Sequence, residues 1–136
     1  MQTELIRHHK DGTMLDLSGQ TITEVTGDRQ LSIRTDAGWT ITIESQILYK
    51  AEDGTTHELM GEEPEAADVL APVLTGHPIQ AMTITAAAGL TMTVNSNVQL
   101  TMPPDEDFEA WNIVGPNGER IVSMPGGELV RWNQPD

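Results

Sequence analysis

Cysteine is absent from this chain of 136 residues, and basic and aromatic side chains are scarce. Without cysteine the fold can have no disulfide bond, no thiolate metal site and no cysteine nucleophile. Only three tryptophans, one tyrosine and one phenylalanine are present, so each aromatic is a candidate either for the core or for an interface. A chain of this length is expected to form a single domain, 1–136, around one core.

Positive charge is the second shortage. Seven Lys and Arg stand against 21 Asp and Glu, which gives a formal net charge of −14. A field of that sign repels nucleic acid and anionic membrane surfaces, and it speeds the encounter with a basic protein, although the same charge also serves solubility alone. We therefore expect a basic protein partner and neither a nucleic-acid nor a membrane partner.

Charge of either sign is missing from residues 69–104, and acidic clusters flank that stretch. The clusters are Glu62, Glu63, Glu65 and Asp68 on one side, and Asp105, Glu106, Asp107 and Glu109 on the other. Uncharged strands do little to prevent pairing between sheet edges. This stretch is where we expect self-association into a homo-oligomer, or the addition of a partner's strand.

No segment has the pattern of a signal peptide or of a membrane span. The first 13 residues contain no apolar run. The most apolar stretch, 69–100, is interrupted by Pro72, Gly76, Pro78 and Gly89. Together with the lack of cysteine, this predicts a cytoplasmic protein.

Motifs of nucleotide-binding and hydrolytic sites are missing too. The glycines form neither a phosphate-binding loop nor a dinucleotide fingerprint, and no GxSxG elbow occurs. The acidic run 105–109 lacks the spaced pattern of a calcium loop. The i,i+4 spacing of helical zinc ligands is not found among the histidines, which are His8, His9, His57 and His77. We therefore expect no catalytic residue, no cofactor and no metal ion.

What the sequence does contain is an internal repeat, 17–49 and 74–100. Residues 31–49 align without gaps on residues 82–100, with six of 19 positions identical. Repeats of this kind indicate one supersecondary unit used more than once. Apolar and threonine positions alternate with period two in both copies, which predicts strands with one buried face. The predicted core positions are Trp39, Ile41 and Ile43 in the first copy, and Leu90, Met92 and Val94 in the second.

Turn and helix signals complete the predicted fold. The hairpin turns are predicted to place Gly38 and Gly89 at positive φ, and a third strand is predicted to complete a meander in each copy. A helix is predicted at about 63–74 and a C-terminal meander at 109–132. The predicted class is α+β and mainly antiparallel β, with two repeated β-meander modules joined by one helix, plus the C-terminal β-meander.

The C-terminal third combines Phe108-Glu109-Ala110-Trp111 with a Pro125-Gly126-Gly127 turn and a closing Trp132. In these residues the chain resembles a family of small bacterial proteins, often actinobacterial and mostly uncharacterised. In that family the first aromatic is commonly tyrosine, so Phe108 departs from the pattern by lacking the hydroxyl. Such domains resemble immunity proteins encoded beside secreted polymorphic toxins, which implies a protein that binds and neutralises a toxin domain.

Two functional hypotheses result. The first is a non-enzymatic immunity protein that occludes the active site of a basic toxin domain, with rim carboxylates around a buried aromatic anchor. Its predicted partner-binding residues are Asp105, Glu106, Asp107, Glu109 and Trp111, or an aromatic next to Trp111. The alternative is a small ligand-binding domain or enzyme with a site between the two repeat modules. Convergence of Asp16, Glu24 and His77 in one cleft would favour this alternative.

Overall fold

The computed structural model describes residues 6–9, 12–15, 17–95 and 97–132, with the side chains of β1, β2 and Trp132 left out. These residues form thirteen strands and one helix, α1, at Pro64–Leu74. The strands are β1 (Ile6–His9), β2 (Gly12–Leu15), β3 (Ile22–Gly27), β4 (Leu31–Thr35), β5 (Thr40–Ile43), β6 (Gln46–Lys50), β7 (Thr56–Met60), β8 (Ile79–Ile84), β9 (Leu90–Val94), β10 (Val98–Met102), β11 (Trp111–Val114), β12 (Arg120–Met124) and β13 (Glu128–Trp132).

Two antiparallel sheets share one hydrophobic core. The five-stranded sheet has the order β7-β6-β10-β9-β8, and the six-stranded sheet has the order β13-β12-β11-β5-β4-β3. A separate β1–β2 hairpin lies against β8. The buried side chains of both sheets and of α1 form a single cluster. The predicted α+β class, mainly antiparallel β with one helix, is confirmed.

Helix α1 packs against β3, the edge strand of the six-stranded sheet. Pro64 occupies the first turn, where a backbone N–H has no partner within the helix, and Glu65 complements the positive end of the helix dipole. Ala67 lies so close to Gly27 of β3 that a Cβ on Gly27 would stand 2.7 Å from the Cβ of Ala67. Small residues at both positions therefore let the helix approach the strand.

Both copies of the repeat form the predicted hairpins, β4–β5 and β8–β9. The six predicted core residues of the two copies are all buried. Thr40, Thr91 and Thr93 are half-buried on the opposite face. Thr42 is buried on that face as well, where its cross-strand neighbours are Ser32 of β4 and the buried Asn112 of β11.

The second hairpin turns one residue earlier than the alignment of the copies predicts. Each turn begins at a threonine, Thr35 or Thr85, whose hydroxyl accepts the N–H four residues further on. In the first turn Gly38 has a φ of 89°, but in the second the positive φ, 70°, falls on Ala88. The prediction of positive φ at Gly89 is therefore wrong, because the position of the threonine sets where the turn begins.

A pseudo-twofold arrangement of backbone hydrogen bonds relates the two copies. The bonds run from Gly19 N–H to Ile79 O (2.8 Å), from Gly76 N–H to Ile22 O (2.7 Å), from Ile22 N–H to His77 O (3.0 Å) and from Ile79 N–H to Gln20 O (2.8 Å). Exchanging the equivalent residues of the two copies converts each bond into another of the set. The bridge between Thr21 and Pro78, which are equivalent positions, lies at the centre.

The third strands of the two copies have different neighbours. In the second copy β10 stays beside β9 and completes the predicted meander. In the first copy β6 leaves β5, enters the five-stranded sheet and pairs with β10 and β7. Strand β11 of the C-terminal meander takes the place beside β5 instead. The pairing of β6 with β10 thus joins the two modules across one sheet.

The uncharged second copy lies mostly inside its sheet. Strands β9 and β10 have partners on both sides, whereas β8 is an edge strand with β2 against it. The most apolar stretch of the chain, residues 69–100, forms the end of α1 and then short strands. Nowhere in the described part of the chain is there a helix long and apolar enough to cross a membrane.

Candidate functional site

Phe108 is the one large hydrophobic side chain that the described residues leave exposed, at 67% of its surface. It lies in the 103–110 loop between β10 and β11. Asp105 holds this loop in place. Its Oδ1 accepts the N–H groups of Asp107 (2.8 Å) and Phe108 (3.1 Å), and its Oδ2 accepts the Ser45 hydroxyl (2.7 Å). The Ser45 hydroxyl, followed by the Asp107 N–H, lowers the pKa of Asp105, which therefore stays ionised and keeps Phe108 in position.

Carboxylates crowd around Phe108. A depression of about 230 Å³ beside the ring is lined by Arg29, Glu44, Ser45, Met60, Glu62, Asp105 and Phe108. Burial, and then the negative charges of Glu109 and Glu62, raise the pKa of Glu44 above its ordinary value. Glu44 is therefore less easily ionised here than in water, first because of burial and then because of the carboxylates around it. We call Phe108, Glu44, Glu62, Glu109 and this depression the Phe108 surface.

The five predicted partner-binding residues have different environments. Glu106 and Asp107 are exposed beside Phe108, and Glu109 is half-buried. Asp105 is half-buried, and both of its oxygens accept hydrogen bonds from the loop and from Ser45. Trp111 is fully buried.

Trp111 cannot anchor a partner, so its prediction as the interface aromatic is wrong. Its register opposite Ile43 of β5 turns the indole into the core, where Nε1 donates to the carbonyl of Ala88 at 3.1 Å. The neighbouring aromatic, Phe108, is the one that solvent reaches. The sequence offered a signal for this difference, since Trp111 alternates with Ile113 in a strand pattern, whereas Phe108 follows two prolines and three acidic residues.

A second concave site, which we call the interrepeat cleft, lies between the two copies of the repeat. It has a volume of about 590 Å³ and opens between the β6–β7 turn, the end of α1 and the β9–β10 turn. Its lining consists of Tyr49, Ala51, Glu52, Asp53, Pro72, Val73, His77, Asn95 and Val98. These residues come from three separate segments, so no local pattern in the sequence could have predicted the cleft.

Hydrogen bonds fix the carboxylate of Asp53 at the rim of the cleft. Its Oδ1 accepts the N–H (3.0 Å) and the hydroxyl (2.6 Å) of Thr55, and these two bonds lower the pKa of Asp53. His57 Nε2 lies 3.1 Å from Thr55 Oγ1. The Thr55 hydroxyl has one proton, which it donates to Asp53. In the contact with His57, therefore, Nε2 donates and Thr55 Oγ1 accepts. The His57 ring in turn lies 5.7 Å from the ring of Tyr49.

The three residues whose convergence would favour an enzyme or a ligand-binding site are not brought together. His77 lines the cleft, but Glu24 forms an ion pair with Arg34 at 3.7 Å and lines a different depression. Asp16 lies outside the described residues, as do the side chains of His8 and His9. Among the residues that are described, no three potential ligand side chains are close enough to hold a metal ion.

Comparison with known proteins gives a family and no activity. A family model described as "Family of unknown function (DUF6188)" matches residues 13–133. Neither the curated proteins nor the solved structures gave a match to the chain. The match covers both copies of the repeat, the helix and the whole C-terminal meander.

Proposed function

The chain belongs to the DUF6188 family of unknown function, and we propose that it is a non-enzymatic immunity protein that binds a basic toxin domain through the Phe108 surface. The observation that carries the proposal is the exposed Phe108 ring among carboxylates. Exposing a large aromatic ring to water is unfavourable, and anchors of this kind are typical of interfaces. The carboxylates around it select a partner of opposite charge.

Asp105 supports this assignment because it holds the loop in one conformation. A side chain held in place before binding loses little conformational entropy in the complex. Phe108 is part of this loop, and its own N–H donates a hydrogen bond to Asp105. The backbone that carries the exposed ring is therefore held in place before binding.

The depression beside Phe108 also fits a basic side chain from the partner. Met60 and Phe108 provide apolar contact for the stem of a lysine or arginine, and Glu44 and Glu62 provide the opposite charge. Burial is the main cause of the raised pKa of Glu44, and a cation placed there would offset the further contribution of Glu109 and Glu62. A toxin domain that acts on an anionic substrate has a basic active site. If a basic side chain of that site enters the depression and the partner's backbone lies over the Phe108 ring, the active site is covered.

Binding kinetics with a basic toxin domain, which the proposal expects among the genes adjacent to this one, test the proposal. We expect Phe108→Ala to raise the dissociation rate by roughly 30-fold or more, as loss of an anchor does. The double variant Glu44→Gln/Glu62→Gln should instead slow association severalfold. That difference should shrink as the salt concentration approaches ~1 M, where the Debye length is about 3 Å.

The matched control is Glu24→Gln/Glu52→Gln, which removes two charges of the same kind at exposed positions that line other depressions. It should change the association rate much less, because it alters only the long-range field. Equal effects of the two double variants, together with an unchanged dissociation rate for Phe108→Ala, would contradict the proposal.

A further inference from the structure

We propose that the interrepeat cleft binds a small organic cation, an alkyl amine or guanidine, independently of the Phe108 surface. The volume of about 590 Å³ is in the range of small-molecule sites. One wall is apolar and consists of Pro72, Val73 and Val98, and the rim carries two carboxylates. A carbon chain with a positive end matches this combination of surfaces.

The charge of the lining decides the sign of the ligand. Glu52 and Asp53 contribute two negative charges, and no lysine or arginine is among the lining residues. Lys50 precedes them on β6 and lines an adjacent depression that shares Glu52 and Asp53 with the cleft, so its charge offsets part of theirs. The lining of the cleft itself still carries an excess of negative charge, which favours a cation over an anion.

Tyr49 supplies a hydroxyl to the cleft. Only 7% of this residue is accessible, and it lines the cleft. Within the described residues Tyr49 has a ring contact with His57, and its hydroxyl has no hydrogen-bond partner there. No buried side-chain oxygen in that part of the chain lacks a partner, so this hydroxyl is in contact with solvent. A ligand amine or guanidine in the cleft would donate a hydrogen bond to it in place of water.

The rim is rigid where the cation would bind. Both hydrogen bonds from Thr55 go to Oδ1 of Asp53, so they fix the carboxylate with Oδ2 directed elsewhere. Across the opening, Asn95 is held at a φ of 54°, in the left-handed region that side chains other than glycine adopt rarely. A bare metal ion does not fit this site, because the described residues do not gather three ligand side chains.

Calorimetric titration with agmatine, which carries a guanidine and an amine on a four-carbon chain, tests the inference. In about 0.15 M salt, where diffuse attraction is screened beyond about 8 Å, we expect saturable binding of one molecule per chain. Asp53→Asn and Tyr49→Phe should each weaken it by roughly fivefold or more, the effect of one hydrogen bond. 1,4-Butanediol, which has the same carbon chain without charge, should not bind.

Two controls separate the cleft from the general acidity of the protein. Asp28→Asn removes one charge away from the cleft and should bind agmatine as the wild type does, and so should Phe108→Ala. If Asp53→Asn does not fold, saturable NMR shifts of the His77 ring and Asn95 amide in the wild type replace it. Absence of saturation, equal loss in Asp28→Asn, or loss in Phe108→Ala would overturn the inference. Because Phe108→Ala leaves the cleft intact, this result is independent of whether the proposed immunity function holds.

Discussion

Glu44 is the residue at which the needs of folding and of binding conflict most clearly. Its pKa is raised by burial and by Glu109 and Glu62, so the ionised form is less favourable in the folded protein than in the unfolded chain. Its ionisation therefore opposes folding at neutral pH, and stability is regained as the pH falls through the raised pKa toward the ordinary value of 4.5. A carboxylate whose pKa is raised by burial and by neighbouring negative charges is typical of functional sites.

We therefore predict that Glu44→Gln stabilises the free protein at pH 7 while it weakens partner binding. The melting temperature should rise by about 1–3 °C, the effect of one partly exposed charge interaction in a domain of this size. The gain in melting temperature should disappear at low pH, where Glu44 of the wild type is protonated. Thermal melts between pH 4 and pH 8 would check this, with Glu128→Gln, an exposed glutamate on β13, as the control. A lower melting temperature at pH 7 would contradict the account of Glu44.

At the scale of elements, the sequence predicts where the strands lie but not which strands pair with each other. The period-two pattern predicts which side of β5 or β9 faces the core, because alternation fixes the face of a strand. It does not predict that β6 crosses to pair with β10, since alternation is the same whichever strand lies alongside. For the same reason the sequence left Trp111 as a candidate either for the core or for an interface. Its burial depends on pairing with β5, which is about 70 residues earlier in the chain.

The connection from β7 to α1 offers a test of packing at this scale. Gly61 passes against the end of β5, and a Cβ added to it would collide with the carbonyl oxygen of Ile43. We predict that Gly61→Ala destabilises the fold by about 2–3 kcal/mol, because both sides of the contact are backbone and neither can rotate away. Gly19→Ala is the matched comparison, since nothing lies within 4 Å of its Cβ and only its φ of 92° is unfavourable.

Gly19→Ala should therefore cost only about 1 kcal/mol. Chemical denaturation of the two variants against the wild type would measure both effects. If Gly61→Ala were no more destabilising than Gly19→Ala, the close passage of the connection over β5 would be disproved.

In the whole molecule, the two copies of the repeat share one core because their third strands pair differently. The hydrogen bonds around Thr21 and Pro78 keep the pseudo-twofold relation, whereas β6 breaks it by joining the other copy's sheet. The break creates both candidate sites. It frees the β5 edge for β11, whose preceding loop carries Phe108, and it places the β6–β7 turn opposite His77 and Asn95 in the cleft. Neither site could be read from either copy of the repeat alone.

The central claim is that the Phe108 surface neutralises a basic toxin domain, and growth rescue tests it most directly. The toxin domain that the proposal expects among the adjacent genes would be expressed in a sensitive host, with and without variants of this protein at equal levels. We predict that the wild type and Glu24→Gln/Glu52→Gln restore growth, whereas Phe108→Ala combined with Glu44→Gln and Glu62→Gln does not, although it folds. Rescue by all three alike, or failure of the wild type to rescue, would contradict the account.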